Sequence, residues 1–322
     1  MIVALSTDPS DRVLLPTRST GEPLGEDVQL ALYTCYELHY QGFPAVDDAW
    51  EWQPDLLRMR AQLERLFLDA LRDLVPPGDD ALGEMDAMSA EPETGTGPSW
   101  HLREHGTWPQ MQEYFAHRSL YHLKEGDPQA WAIPRLTGQA KAAFTAVEFD
   151  EYGGGRGDRM HSAMFAELLS AAGLNPAYLA YLDHVPAESM TPVNLMSLFG
   201  LHRALRGAAV GQFAAAEITS SPGCRRLVEA LHRLHAPAQC LRFYEEHVEA
   251  DAVHEQVLRT DVVEDLVTRE PALAADVVFG MRAFDYVEGL LADRLLEAWT
   301  TGRSSMLGSG SIVSSASGYS TM

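Results

Sequence analysis

From Trp100 to about Thr301, apolar residues recur at helical spacing almost without interruption, and no stretch alternates as a half-buried strand must. Short breaks rich in Pro or Gly divide this run into pieces at roughly 108–125, 136–151, 158–172, 176–183, 191–218, 223–234, 237–256, 260–267 and 271–300. Helices without a sheet can bury their apolar stripes only against one another. The expected fold class is therefore all-α, a helix bundle.

The flanks read differently. Residues 1–25 are irregular, with Pro9, Pro16, Gly21 and Pro23. Residues 26–75 are helical. DVQLALYTCYELHYQGF is one candidate helix; PDLLRMRAQLERLFLDALRDL is clearer, with Leu56, Leu63, Leu66, Phe67 and Leu74 at helical spacing behind Pro54. Residues 76–98, PPGDDALGEMDAMSAEPETGTGP, are acidic and rich in Pro and Gly and read as a mobile linker. The tail GRSSMLGSGSIVSSASGYSTM is Ser/Gly-rich and expected to be disordered. The division is an N-terminal helical extension with its linker over 1–98, the bundle over 99–301 and the tail over 302–322. The apolar helices of the extension need cover, from the bundle or from a second copy, and a homodimer is expected.

A net charge of −22 argues against nucleic acid or an anionic membrane as partner. Three scattered cysteines, Cys35, Cys224 and Cys240, make neither a disulfide framework nor a metal motif, which favours a reducing cytoplasm. The N-terminal residues do not have the pattern of a signal peptide, and no run approaches the length that spans a bilayer.

The chemistry concentrates in YEEHVEADAVHE, residues 244–255. His247, Asp251 and His254 stand at i, i+4 and i+7 and project from one face of a helix. A solvated polar stripe is the plain alternative. Against it, Tyr244, Ala250 and Val253 flank the column, while Glu246 and Glu249 supply a separate polar face. Further carboxylates are at hand in other segments: Glu125 in YHLKEGDPQAW, Glu151 with His161 in EFDEYGGGRGDRMHS, and Glu217 in AVGQFAAAEITSS. Glu217 stands among Val210, Phe213, Ala214, Ala215, Ala216 and Ile218, where a carboxylate is costly unless it meets a cation or lies on an exposed edge. Asp150 and Glu148 are local rivals of Glu151. Gly153 to Gly155 do not make a phosphate loop, because no Gly-Lys-Ser/Thr follows and no strand precedes.

Three segments, RSLYHLKEGDPQAWAIPRLTGQAKAA, DEYGGGRGDRMHSAMFAELL and YEEHVEADAVHE, resemble the haem-oxygenase-like di-iron oxidases and oxygenases, in particular the branch of iron-containing redox enzymes. The similarity runs from about Trp100 to Trp299. Haem oxygenases proper use one proximal His, and the thiaminase relatives a nucleophilic Cys; neither pattern fits. The resemblance implies a haem-oxygenase-like bundle whose metal ligands are Glu125, Glu151, His161, Glu217, His247, Asp251 and His254. It also implies two Fe ions, O2 as co-substrate and an external electron donor. Four carboxylates and three neutral imidazoles would balance two Fe(II) ions.

The chemistry implied is reduction of O2 to a peroxo-di-iron species and transfer of oxygen to a small-molecule amine. The N-oxygenating members, active in the biosynthesis of antibiotics and other natural products, carry the additional Glu that falls on Glu151. Members with a cupin domain after the bundle differ from this sequence, so N-nitrosation is not expected. Two alternatives stand: C–H abstraction leading to desaturation or C–C cleavage of an amino or fatty acid, and an iron carrier without turnover. The small-residue helix around Glu217 is expected to be the part that relaxes without metal.

Overall fold

The structure is a computed structural model that describes residues 21–91 and 94–308, with Leu5, Ser6 and Pro9 besides. Most of the stretch expected to be irregular, 1–25, and the tail beyond 308 lie outside the described residues. Among the described residues there is no strand. The principal helices are α1 (Glu26–Glu37), α2 (Pro54–Leu74), α3 (Ala81–Ser89), α4 (Pro98–Glu104), α5 (Trp108–His122), α6 (Gly138–Glu151), α7 (His161–Ala171), α8 (Ala187–Leu201), α9 (Arg206–Arg233), α10 (Ala238–Val257), α11 (Asp265–Arg269) and α12 (Ala274–Thr300). A π-helical stretch, Leu258–Glu264, joins α10 to α11. No described helix is long and apolar enough to cross a membrane.

Local signals start several helices. Pro54 opens α2, and the Gln53 side chain accepts from the Asp55 and Leu56 amides at 2.6 and 3.1 Å. Thr107 and Gln110 form a capping box on α5. The long pair α9 and α12 meets through small residues. A Cβ on Gly211 would overlap the Val277 carbonyl, and one on Gly280 the Ala208 carbonyl. The small residues Ala208 and Gly211 of α9 therefore serve close backbone packing against α12.

Two boundaries differ from the periodicity. A break is predicted at 219–222, yet α9 runs through Pro222, sandwiched between α10 and α12. The interruption falls earlier, at the extended residue His202, which no Pro or Gly marks. Residues 176–183 do not form the predicted helix; only a short 3-10 turn, Leu182–His184, appears there.

The N-terminal layer completes the bundle. Val28, Leu32, Trp50 and Phe67 share one core with Leu195, Phe199 and Phe213. Asn194 on α8 donates to both the backbone and the side-chain oxygen of Gln29, each at 2.8 Å. The apolar face that motivates a dimer is thus covered within the chain. The supposed mobile linker 76–98 contains α3, which buries Ala81 and Met85. Its acids have cationic partners on the bundle: Glu84 takes Arg282 through both oxygens at 2.9 and 2.6 Å, and Asp86 takes Arg259 at 2.7 Å. The start of the tail is also packed rather than disordered. Ser305 is fully buried and donates to Glu113 from its amide at 3.0 Å and its hydroxyl at 2.7 Å.

Candidate metal centre

All seven residues singled out in the sequence are buried and converge on one region between α5, α6, α7, α9 and α10. Two groups have ligand atoms within 4.8 Å of one another: Glu125, His161 and His247, and Glu151, Glu217 and His254. Asp251 stands beside these triads, with Oδ1 3.9 Å from His254 Nδ1.

The first triad shows why a cation fits. His247 Nδ1 donates to the Phe243 carbonyl at 2.7 Å, which turns the Nε2 lone pair toward Glu125 Oε2, 3.6 Å away. Neither Nε2 nor Oε2 has a hydrogen-bond partner. Two buried acceptors that face each other call for something positive between them. His161 Nδ1 lies 3.9 Å from the same Oε2. Burial opposes a proton on His247, but Glu125, Asp251 and Glu151 outweigh it and lift the imidazole to about 10. A field that favours a proton there favours a metal cation for the same reason, and the two compete for the ring.

In the second triad His254 Nε2 lies 3.2 Å from Asp150 Oδ2, and its Nδ1 faces Glu217 Oε2 at 3.1 Å. Asp150 therefore sits outside the triads, as the carboxylate that orients His254. Glu151 spans both groups. Its Oε2 is 2.7 Å from His161 Nδ1 and its Oε1 is 4.0 Å from His254 Nδ1. Burial, then the charges of Asp251 and Glu151, push the Glu217 carboxyl well above the usual range. Burial also raises Asp251. Burial would raise Glu125 too, but His122 and His247 hold it well below the usual range.

Local structure explains the placement. Glu151 ends α6 and His161 begins α7, so they meet across a loop rather than along one helix. Gly153, Gly154 and Gly155 all adopt positive φ and make that reversal. Glu125 lies in a turn just after α5. Gly126, with φ +89, follows it, and a Cβ there would sit 3.2 Å from the Glu151 Cβ. Two residues escape the ligand pattern. His122 holds Glu125 Oε1 at 2.9 Å, a contact its i, i+3 spacing foretells. Glu148 is buried with both oxygens unpartnered.

A cavity of about 470 Å³ opens onto the triads. Glu125, Glu151, Glu217, His247 and Asp251 form part of its wall, with Val193, Met196, Phe284 and Leu291 among the apolar residues elsewhere. Mixed imidazole and carboxylate ligation suits iron or manganese better than zinc.

A buried His/carboxylate cluster between helices, open to a ligand-sized cavity, is a donor set of the kind that holds metal ions in helical bundles. The family model described as "Iron-containing redox enzyme" matches residues 112–289. The match covers more than half of the chain, and the chain belongs to that family, with the all-α, haem-oxygenase-like bundle expected from the sequence. It is similar to the nitrosourea synthase of Streptomyces achromogenes subsp. streptozoticus, at 26% identity over 145 residues. That stretch is 45% of this chain and 31% of that enzyme, so the likeness spans less than a third of the relative.

Proposed function

We propose that this chain is a non-haem di-iron oxygenase that uses O2 and an external electron donor to oxidise the amino group of a small natural-product precursor to hydroxylamine and nitro products. The carrying observation is the shared wall: Glu125, Glu151, Glu217 and His247, four of the six residues that would hold the metals, also line a cavity sized for a small molecule. Glu125, His161 and His247 would hold one ion and Glu151, Glu217 and His254 the other, with Asp251 alongside. Ferrous ions held by these residues would supply electrons for the reduction of O2 beside the substrate.

The protein's own part is orientation and exclusion. The Phe243 carbonyl and Asp150 fix the two imidazoles. Tyr121, in the cavity wall, has its hydroxyl held by Gln129 Nε2 at 3.0 Å. Val193, Met196, Phe284 and Leu291 keep much of the cavity apolar and would limit water around a bound amine. Nitrogen is favoured over carbon as the atom oxidised for two reasons. Glu151 matches the additional carboxylate of the N-oxygenating members, and the relative's name denotes a product with an oxidised nitrogen. A carrier would have no use for the cavity beside its metals.

The test is anaerobic Fe(II) loading followed by O2 exposure in a stopped-flow spectrometer, with a panel of small amines and mass analysis of the products. The expected result is substrate-accelerated O2 consumption with a gain of oxygen on nitrogen. Metal uptake with no amine-dependent O2 consumption would sink the N-oxygenase reading and leave C–H oxidation of another substrate or a carrier.

A further inference from the structure

Six of the seven candidate ligands lie within helices, whose backbone ladders hold them. Glu125 does not. It occupies the turn between the end of α5 and Asp127, where the backbone bonds are local: the Lys124 amide donates to the Tyr121 carbonyl at 2.8 Å, and the Asp127 amide to the Lys124 carbonyl at 3.1 Å. Something else must fix that turn. The neighbouring side chain, Lys124, reaches the opposite way into the N-terminal layer. Its Nζ donates to Glu37 Oε2 at 2.7 Å, and both side chains are almost wholly shielded from solvent.

This pair is built in from several sides. The Lys124 ammonium lies 4.4 Å from the Tyr33 ring centre and 4.6 Å from that of Tyr40. The Tyr178 hydroxyl donates to Glu37 Oε1 at 2.8 Å, and the Gln41 amide to the same oxygen at 3.3 Å. An ammonium enclosed this completely cannot shift without losing the carboxylate to which it donates, so the backbone at Lys124 is tethered.

We propose that Glu37 is a positioning residue for the metal centre: through its buried ion pair with Lys124 it fixes the turn that presents Glu125. This rests on the proposed reading of Glu125 as a ligand. The N-terminal layer then sets the geometry of the first triad although it supplies no ligand, whereas the ligands of the second triad are all carried on helices.

Changing Glu37 alone would leave a buried ammonium unpaired and endanger folding. The test is therefore the double variant Glu37→Gln/Lys124→Met, which removes both charges and keeps the shapes, compared with wild type and Glu125→Ala. Each full-length protein is titrated anaerobically with Fe(II), and helicity and thermal melting are followed. The double variant should keep wild-type helicity and bind one of two ions at least tenfold more weakly, with the other unchanged. Wild-type affinity for both ions, or equal weakening of both, overturns the proposal. Glu125→Ala tests the ligand assignment separately: if it binds both ions as wild type does, that assignment fails on its own account.

Discussion

Glu125, His161 and His247 sit among packed rings, whereas in the other triad His254 has one side chain, Asp150, between it and solvent. His247 has the Phe243 and His161 ring centres at 4.4 Å each, and its tautomer is set by a backbone carbonyl. His254 is steered instead by Asp150, whose side chain is 60% exposed. A ring locked by backbone and packing has one orientation available. A ring steered by an exposed carboxylate can be tuned by substitution, by salt and by whatever approaches that surface. The first triad is thus preorganised and the second adjustable.

The largest expected effect is His247→Ala. It removes the ring at the heart of the packed triad, so turnover should fall to background and bound iron by about half or more. Elemental analysis after anaerobic loading, with O2 uptake, checks this; circular dichroism should stay near wild type, because α10 keeps its other buried side chains, Cys240 and Tyr244 among them. Full iron content would show that this triad is not a metal site.

Gly211→Ala comes next. Its Cβ would drive α9 off the Val277 carbonyl, with Glu217 further along the same helix. A loss of roughly 1–3 kcal/mol is expected, read by thermal denaturation. The second triad should bind metal more weakly than the first; equal loss at both would erase the distinction between them.

A smaller and more selective effect is expected for Asp150→Asn. The amide keeps an acceptor for His254 but loses the charge, so the second ion should bind about tenfold more weakly and the first as before. Competition with a chelating dye would resolve the two steps.

The smallest effect concerns Glu148→Gln in metal-free protein. Burial first, then the charges of Glu151 and Glu217, push the Glu148 carboxyl well above the usual range. The folded protein therefore keeps this proton to higher pH than the unfolded chain does. The stability it contributes is complete below the ordinary value of 4.5 and is lost as pH rises through the folded value. Gln imitates the neutral acid. The variant should match wild type near pH 4 and exceed it at pH 8, by on the order of 1 kcal/mol in urea denaturation. An unchanged difference across that range would mean that Glu148 has found a charged partner.

The comparison also shows what a sequence discloses. The His247, Asp251 and His254 column is legible because one helical period places all three. Glu151 and His161 look about 80° apart on a single straight helix, but the chain ends one helix at the first and starts another at the second, so that angle does not apply. The Asp150–His254 and Glu37–Lys124 contacts join residues 104 and 87 apart, and no local pattern carries such information. At Pro222 a local breaker is overridden by packing on both sides. In 76–98 composition suggested mobility because the arginines that pair with its acids, Arg259 and Arg282, lie far along the chain.

Part of the cavity lining comes from outside the stretch that the family model matches. Met88, Thr96, Gly97, Ser99 and Trp100 line the cavity, yet all precede residue 112, where the family match begins. The metal-facing wall belongs to the shared scaffold, and part of the entrance belongs to a neighbouring stretch of chain. Exchanging residues 76–107 would therefore alter part of the cavity wall while leaving all seven candidate ligands in place.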